Sequence, residues 1–369
     1  MLDAIKVILN KKYIPLNKIE ISKKHLKANY KYLSSLNSKV KIAPVLKSNA
    51  YGHGLVEVAK ILDNVNCPMF CVDSLYEAYE LLKVKIKTPI LIMGYVHPES
   101  LKVKKLPFSY VVSGIEQLEV LNKFQKGAKV HLKVDTGMHR LGIPFEEFAD
   151  FVKNLNKYKN IKVEGLMSHI AYQDDLKNTL SKNQINKFSK ALALCRQNGF
   201  APKWVHLGAS SLTLSKQSKN ILRNANMARV GIGIYGIGPI DQSEKLKPVL
   251  KLTSHIVQIK KLKKGDKVGY NGTFTAEKET IMGVLPIGYN DGLNIRLSNK
   301  GFVTVGNKKC PIIGAISMNI STVNLAGVKN PKVGDKVIIF SDKSSDPNSI
   351  ANSAKIAGTI AYELLVNFD

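Results

Sequence analysis

The chain has 369 residues, of which 44% are hydrophobic and 22% are charged. This balance is typical of a globular protein and excludes a disordered chain. The formal net charge is +27 at pH 7, and the lysines are spread along the whole sequence. Their densest run, Lys260–Lys264, has no interleaved aromatic residues, so we interpret the charge as a solvated surface and expect no nucleic-acid partner.

The sequence also carries no sign of a membrane span or of a leader. No stretch approaches the roughly 18 consecutive apolar residues that a span needs. Met1–Lys12 lacks the apolar segment of a signal peptide. We therefore expect a cytoplasmic protein. Among the four cysteines only Cys67 and Cys71 are close in sequence. A metal site would need a second pair or histidines at matching spacing, and the sequence shows none, so we expect no metal.

Short apolar runs alternate with amphipathic helical patterns from about residue 40 to residue 240. This alternation predicts a parallel sheet, and eight evenly repeated units favour a closed (β/α)8 TIM-type barrel over a doubly wound open sheet. The predicted strands are Lys41–Leu46, Met69–Val72, Pro89–Met93, Ser109–Val112, Lys129–Val134, Lys162–Met167, Trp204–Leu207 and Met227–Ile234. The predicted helices are Lys23–Leu36, Gly54–Leu62, Leu75–Leu82, Ile115–Phe124, Phe145–Leu155 and Gln184–Gln197.

The pattern changes after about residue 247, where Val- and Ile-rich runs are separated by turn residues. We therefore expect a barrel over residues 13–247 and a mainly antiparallel β domain over residues 248–369. Residues 1–12, which include the strand-like Ile5–Leu9, could add a strand to that domain. The runs predicted as strands are Leu252–Ile259, Thr280–Leu285, Phe302–Val305, Pro311–Ile316 and Lys336–Phe340, before a helix at Ser349–Tyr362.

Polar residues follow several of the predicted barrel strands, and active sites of such barrels gather at the carboxyl ends of the strands. The set comprises Lys47, Tyr51, Asp135, Arg140, His169, His206, Ser210, Ser211, Arg229 and Gly231–Gly238. In a closed site, a lysine at a strand end can lose its proton and become nucleophilic. Taken alone, Lys47 is more simply interpreted as a solvated lysine, and a glycine-rich run as tight packing.

The segment around Lys47 changes that interpretation. Val45–Gly54, V-L-K-S-N-A-Y-G-H-G, closely resembles the pyridoxal 5'-phosphate (PLP) attachment motif of alanine racemases, with Ser48 where that family has Ala or Gly. Other segments are similar to the same family in the same order: Phe70–Ala78, Pro89–Gly94, Lys133–Gly142, Met167–His169, Arg229–Gly236, Gly288–Gly292 and Ile316–Asn319. The chain is thereby identified as a member of this PLP-dependent family of fold type III, which has a barrel followed by a β domain.

The resemblance implies a cofactor site in the barrel. Lys47 would bind PLP covalently. Tyr51, Ser210 and the backbone of Gly231 and Ile232 would hold its phosphate, since glycine lets N–H groups approach a phosphate closely.

It also implies a set of cationic and imidazole groups around the cofactor. Arg229 would pair with the pyridine nitrogen and leave it unprotonated, because arginine keeps its own proton. Arg140 would lie near the substrate carboxylate or the phenolic oxygen of the cofactor. His169 would contact Arg229. Lys133 matches a position that is carbamylated in some relatives.

Racemisation needs a proton removed from one face of Cα and one returned to the other face. In the family, the residue matching Lys47 serves one face. The other face is served by a tyrosine of the partner subunit, which here matches Tyr270. On local sequence alone, Tyr270 is a half-buried strand tyrosine; the resemblance makes it the second base and implies a homodimer with composite sites.

Further residues would border the substrate. Tyr289, Met318 and Asn319 match positions that reach the neighbouring pocket. Asn319 replaces the family's Asp, and Ala209 replaces an Asn. A tyrosine that borders the pocket in relatives follows the position where this sequence ends, and we expect it to be missing.

The resemblance thus implies an alanine racemase that supplies D-alanine for peptidoglycan. A related racemase of serine or of broader specificity is the alternative, because the pocket wall departs from the family pattern. Two other classes fit less well. A PLP-binding barrel protein lacks a β domain and so has no counterpart of Tyr270, and a basic amino-acid decarboxylase lacks a counterpart of Gly288–Gly292.

Overall fold

The computed structural model describes residues 14–172, 175–238 and 245–368. It divides into two compact units, one formed by residues 23–247 and the other by residues up to 22 together with residues from 248 onward. The first described strand, β1 (Lys18–Ile21), belongs to the second unit. The predicted strand Ile5–Leu9 lies outside the described residues.

The unit formed by residues 23–247 is a parallel barrel. Its strands are β2 (Lys41–Pro44), β3 (Phe70–Val72), β4 (Ile90–Ile92), β5 (Ser109–Val112), β6 (Ala128–Asp135), β7 (Ile143–Pro144), β8 (Ile161–Met167), β9 (Trp204–His206) and β10 (Met227–Val230). Eight of them pair in the order β2-β10-β9-β8-β6-β5-β4-β3, and a bridge between Val45 and Cys71 joins the two ends of this row. The predicted eight-stranded (β/α)8 barrel is confirmed; the short β7 pairs on the side of β6.

The barrel strands are short apolar runs because both of their faces are covered. Every residue of β3, β4, β5 and β10 is buried, as expected for strands of a parallel sheet. The prediction that the last strand runs to Ile234 was wrong. β10 ends at Val230, because the chain then folds into successive tight turns in which Ile234 N–H bonds to Gly231 O and Tyr235 N–H to Ile232 O.

Helices connect the strands of the barrel. They are α1 (Lys23–Ser35), α2 (Leu55–Leu62), α3 (Leu75–Lys83), α4 (Pro98–Lys102), α5 (Ile115–Phe124), α6 (Phe145–Asn154), α7 (Thr179–Gln197), α8 (Ser210–Leu214) and α9 (Ser218–Ile221). The start of α3 is fixed by a capping box, in which Ser74 and Glu77 satisfy each other's backbone N–H groups.

The second unit consists of antiparallel sheets. Its further elements are β11 (Leu250–His255), β12 (Gln258–Leu262), β13 (Lys267–Val268), β14 (Phe274–Thr275), β15 (Thr280–Leu285), β16 (Phe302–Val305), β17 (Lys308–Pro311), β18 (Ser321–Asn324), β19 (Lys336–Phe340), α10 (Ile350–Ala357) and α11 (Ala361–Leu365). The sheets have the orders β1-β11-β19-β16-β17, β12-β15-β18 and β13-β14. A mainly antiparallel β region after the barrel is therefore confirmed.

Three sequence predictions in this unit were wrong in detail. The run Leu252–Ile259 is split between β11 and β12. Ile256 N–H bonds to Asp335 O, just before β19, whereas Val257 N–H bonds to Val284 O in β15, which belongs to a different sheet. The run Pro311–Ile316 is mostly loop, since Gly314 takes a left-handed conformation with φ +75°. The predicted helix Ser349–Tyr362 is interrupted where Gly358, with φ +66°, ends α10.

The described residues contain no helix that combines the length and the apolar character required to cross a bilayer. The four cysteines are buried and form no disulfide.

Candidate active site

A left-handed turn follows the lysine at the end of β2. Ser48, Asn49, Ala50 and Tyr51 all have φ between 52° and 55° and ψ between 43° and 58°. Each L-residue in this conformation costs about 1–2 kcal/mol relative to the right-handed form. Four in succession persist only where neighbouring groups hold them, so the position of Lys47 depends on what surrounds the turn.

Side-chain hydrogen bonds hold the turn from two sides. Ser48 N–H donates to Glu77 Oε1 at 2.6 Å, and Asp73 N–H donates to Glu77 Oε2 at 2.8 Å. Asn49 Oδ1 accepts from Leu55 N–H at 2.8 Å. The turn is thus joined to the loop after β3 and to the first residue of α2. Glu77 was not singled out from the sequence, although the capping-box spacing that contains it is readable there.

Three aromatic rings pack behind the same turn. Tyr235 lies 5.1 Å from Tyr51 and 4.3 Å from His53, centroid to centroid, and its hydroxyl donates to Val45 O at 2.9 Å. His53 Nδ1 lies 2.8 Å from Tyr51 O. Burial lowers the pKa of His53 to about 4, so the imidazole is neutral at pH 7. Neither His53 nor Tyr235 was predicted from the sequence to have a role.

Tyr51, Ser210 and the turns after β10 lie close together. A Cβ built on Gly231 would overlap the hydroxyl of Tyr51, so only glycine lets the backbone lie this close. Ser210 Oγ accepts from Gly233 N–H at 3.2 Å. Ile232, between the two glycines, is buried. Hydroxyls and backbone N–H groups line this cradle, which is the donor set that suits a phosphate.

Arg229 is buried and points from β10 to the ends of β8 and β9. Its Nη1 donates to His206 Nδ1 at 2.8 Å and to His206 O at 2.9 Å, and its Nη2 donates to Ser168 O at 2.7 Å. His169 Nδ1 lies 3.4 Å from Nη2. Burial lowers the pKa of Arg229 only to about 10, so the guanidinium keeps its charge at neutral pH.

A small cleft beside Arg229 is rich in cations. Lys133, Arg140 and His169 line it, with Asp135 and Ser168. Burial, followed by the charges of Arg229 and Arg140, lowers the pKa of Lys133 to about 8 and that of His169 to about 3. A neutral imidazole beside several cations is an arrangement that favours an anionic ligand.

Asp135 fixes the loop that carries Arg140. Its Oδ1 accepts from the N–H groups of Gly137, Met138 and His139 at 2.9, 3.0 and 3.1 Å. Burial raises the pKa of Asp135, but these hydrogen bonds more than offset it and hold the pKa below its usual value. Lys47 Nζ lies 3.8 Å from the carboxylate of Asp73 on the other side of the barrel mouth.

The remaining predicted site residues lie in loops of the β domain. Tyr270 follows Gly269, which has φ +76°, and Tyr270 is 73% exposed. Tyr289 and Met318 lie on loops joined by two hydrogen bonds, from Tyr289 N–H to Ser317 O and from Asn290 N–H to Met318 O. Asn319 follows them and is exposed. The structure therefore brings Tyr289 and Met318 together.

At the carboxyl ends of its strands, the barrel thus offers an anion cradle, a buried arginine and a lysine held by a strained turn. This combination is typical of a barrel enzyme that takes a phosphate-bearing or carboxylate-bearing ligand.

Comparison with known proteins narrows this class. The model of the alanine racemase N-terminal domain matches residues 21–239, and that of the alanine racemase C-terminal domain matches residues 249–369. The alanine racemase of Lactobacillus gasseri is 36% identical over 88% of this chain and 87% of its own, and that of Helicobacter pylori G27 is 34% identical over 94% and 95%.

Solved structures agree. Alanine racemase of Clostridium difficile 630 superposes with a TM-score of 0.88 at 29% identity, over 97% of this chain and 94% of that one. The Bacillus anthracis alanine racemase, solved with bound L-Ala-P, superposes with a TM-score of 0.87 at 29% identity over the same shares. The chain belongs to the alanine racemase family.

Proposed function

We propose that this chain interconverts L- and D-alanine with PLP held at the mouth of the barrel. Membership of the family makes it an amino-acid racemase, an isomerase. The observation that carries the proposal is the pairing of Lys47, on its strained turn, with the donor-lined cradle at Tyr51, Ser210 and Gly231.

The residues present fit PLP. The cradle matches a phosphate, because Tyr51 and Ser210 offer hydroxyls and the Gly231–Ile232 segment offers backbone N–H groups where a Cβ would leave no room. When bound through Lys47, PLP supplies an electron-withdrawing ring that acidifies the α-proton of an amino acid. Arg229, which keeps its proton at neutral pH, would donate an N–H to the ring nitrogen.

Two bases on opposite faces are assigned to the proton transfers. Lys47 Nζ takes or returns the proton on one face, and Tyr270 Oη does so on the other. Arg140 binds the substrate carboxylate from the cation-rich cleft. Neutral His169, whose pKa is lowered to about 3, can accept a hydrogen bond from the second base without adding charge to the site.

Tyr270 is proposed to serve the barrel of a second copy, in a homodimer with two composite sites. Its exposure supports this, since 73% of Tyr270, 45% of Tyr289 and 55% of Met318 is exposed in the single chain. Large side chains exposed together mark surfaces that a partner covers. Met318, Asn319 and Tyr289 would then border the substrate. The D-alanine formed is proposed to supply peptidoglycan synthesis in the cytoplasm.

The deciding experiment incubates the purified protein and PLP with a panel of L-amino acids and follows the formation of each D-enantiomer by chiral chromatography. We expect alanine to give the highest kcat/KM. Serine ranking above alanine would favour the alternative, a racemase of serine or of broader specificity. The neutral Asn319, in place of the family's Asp, is the reason for considering it. Bound PLP without racemisation of any member would overturn the proposal.

The two-base assignment has its own test. Tyr270→Phe removes one acid–base group, and we expect kcat to fall by about 10²- to 10⁴-fold. Tyr95→Phe is the control, because Tyr95 is a similarly exposed tyrosine (68%) on the barrel unit. If Tyr270→Phe racemises alanine as fast as the control in both directions, Tyr270 is not a base.

A further inference from the structure

A row of buried polar side chains begins at Arg229 in the candidate site and runs through the interior of the barrel towards its opposite end. Arg229 Nη1 lies 2.8 Å from His206 Nδ1, and His206 Nε2 lies 2.8 Å from His131 Nδ1. His131 Nε2 lies 3.3 Å from Glu164 Oε2. Both imidazoles are fully buried, and the side chain of Glu164 is 13% exposed.

The far end of the row is the amino end of the barrel. Glu164 Oε2 accepts from Ser109 Oγ at 3.0 Å, and Glu164 Oε1 lies 3.3 Å from Lys129 Nζ. Ser109 is the first residue of β5, and Lys129 is the second residue of β6. The row therefore connects the cofactor end of the barrel with the opposite rim.

Two backbone features make room for the row. The register between β6 and β8 slips by one residue, so that Val130 pairs with Val163 but His131 pairs with Gly165, and Glu164 is the extra residue. A Cβ built on Gly165 would overlap the imidazole of His131. The slip and the glycine together admit both the His131 ring and the Glu164 carboxylate on the inner side of the same two strands.

Arg229 and Glu164, at the two ends of the row, require the same direction for every hydrogen bond between them, because a carboxylate only accepts. A guanidinium only donates, so His206 Nδ1 must accept and its proton must lie on Nε2. His206 Nε2–H then donates to His131 Nδ1, and the proton of His131 lies on Nε2, from which it donates to Glu164. Burial lowers the pKa of both histidines and keeps them neutral. Hydrogen bonds from His131 and Ser109 outweigh burial and lower the pKa of Glu164 to about 2.

We propose that Glu164 is a remote positioning residue for Arg229: its carboxylate, at the end of the row, selects the tautomers of His131 and His206 that leave His206 Nδ1 free to accept from Arg229. The inference deepens the proposed function, since the contact of Arg229 with the cofactor rests on that function. The tautomers of His131 and His206, however, do not depend on the proposed function and can be measured in the protein without cofactor.

Loss of the Glu164 carboxylate would change the hydrogen bonds of His131 first, and then those of His206 and Arg229. Without an acceptor, the Nε2–H of His131 is buried unsatisfied, and the ring regains a partner only by changing tautomer. A proton on His131 Nδ1 would face the proton on His206 Nε2, so His206 would have to change as well and present a proton to Arg229. Arg229 would keep its bonds to His206 O and Ser168 O. We therefore expect a weakened cofactor site in an intact fold.

The first test uses the unmodified protein, without PLP, labelled with ¹⁵N-histidine. Nitrogen chemical shifts report which ring nitrogen carries the proton, and His131→Gln and His206→Gln assign the signals. We expect both rings to be neutral, with bare Nδ1 and protonated Nε2. A protonated Nδ1 on either ring overturns the proposal. The nitrogen shifts do not depend on whether the protein racemises alanine. The tautomer proposal and the proposed function can therefore be disproved independently.

The second test compares Glu164→Gln with Glu164→Leu. The amide oxygen of Gln can still accept from His131, whereas Leu cannot. In Glu164→Gln, we expect unchanged nitrogen shifts and a Kd for PLP within about twofold of that of the unmodified protein. In Glu164→Leu, we expect changed shifts and a Kd raised about tenfold. Tenfold is the lower end of the losses seen when a group that orients a ligand-binding residue is removed. Lys129→Met is the control, because it removes the ion pair of Glu164 but leaves the carboxylate in place.

Both variants are compared at equal helical content by circular dichroism. Unchanged shifts in Glu164→Leu, or equal losses in the Gln and Leu variants, would show that the carboxylate does not select the tautomers. Should Glu164→Leu fail to fold, Glu164→Met, which is similar in length but has no carboxylate oxygen to accept from His131, takes its place in the comparison.

Discussion

The two sides of the barrel mouth hold their functional groups in opposite ways. On the Lys47 side, the backbone itself is strained, with four successive left-handed residues kept in place by Glu77, Asn49 and packed aromatic rings. On the Arg229 side, one buried guanidinium on β10 is fixed by hydrogen bonds to His206 and Ser168, at the ends of β9 and β8. The first side relies on local conformation, and the second on polar pairing across the barrel.

This difference implies different responses to substitution. Strain concentrated in a few residues is released when one holding contact is lost, so the Lys47 side should respond sharply to single changes. A buried polar network leaves unsatisfied groups behind when it is broken, so its losses should be graded by how many partners remain. The following experiments test that contrast, beginning with the largest expected effect.

Lys47→Ala tests the chemistry of the strained side. We expect turnover of alanine to fall by at least about 10⁴-fold, because the proposed covalent attachment point and the proposed proton-transfer group are both lost. Borohydride reduction followed by mass spectrometry should find no PLP on the variant chain. Arg229→Lys, which keeps the charge but not the forked contacts, should lose less. If Arg229→Lys lost more turnover than Lys47→Ala, the contrast between the two sides would be the reverse of the one expected.

Gly231→Ala tests the cradle between the two sides. The added methyl group would overlap the Tyr51 hydroxyl, and overpacking costs about 1–3 kcal/mol. We expect the Kd for PLP to rise roughly 10- to 100-fold, as measured by fluorescence titration. Gly233→Ala is the matched control, since its Cβ would meet Val230 at 3.3 Å and Ser210 at 3.5 Å. Equal effects of the two changes would count against the cradle.

Acidification tests the buried histidines, which include His53 on one side and His206 on the other. The pKa of His53 is lowered to about 4 by burial, so below pH 6.5 the unfolded chain binds a proton that the folded chain does not. Stability is therefore fully present above pH 6.5 and falls as the pH drops towards 4, by about 1.4 kcal/mol per pH unit for one such group.

The variant His53→Phe isolates this contribution. It keeps an aromatic ring against Tyr235 but cannot titrate, so the dependence of the unfolding free energy on pH between 6 and 4.5 should flatten. His97→Gln is the control, because His97 is exposed. Denaturant titrations at several pH values measure the slopes, and an unchanged slope in His53→Phe would mean that this imidazole is not buried and neutral.

Tyr235→Phe tests one contact of the aromatic group. It removes the hydrogen bond to Val45 O, and we expect the unfolding free energy to fall by about 1 kcal/mol. Tyr110→Phe is the control, because the buried Tyr110 hydroxyl has no hydrogen-bond partner among the described residues. That change should be neutral or stabilising. A loss confined to Tyr110→Phe would contradict both expectations.

The same contrast explains what could be predicted from the sequence. The Lys47 side is encoded by one contiguous segment, so its motif predicted Lys47 and Tyr51 as site residues and correctly identified the family. The strands Ser109–Val112, Thr280–Leu285, Phe302–Val305 and Lys336–Phe340 were also predicted with the bounds that the structure has, because each is a compact apolar run between turns.

Features that depend on distant pairing were missed. The bond between His131 and His206 joins residues 75 positions apart, and that between His131 and Glu164 needs a slip in strand register. No local pattern shows either of them. The left-handed turn was missed for another reason: residues such as Ala50 and Tyr51 rarely adopt it, and only the surrounding fold keeps them there.

The pairing of β1 with β11 has a consequence for synthesis of the chain. Lys18 lies opposite Thr253, 235 residues later. At roughly 5–20 residues per second, the ribosome delivers the partner strand roughly 10–50 s after β1 has been made. Residues 23–247 have been made before then, and the barrel strands described within them pair with one another. Meanwhile Lys18 and Glu20, charged residues on a short strand, would keep β1 from pairing with other nascent chains.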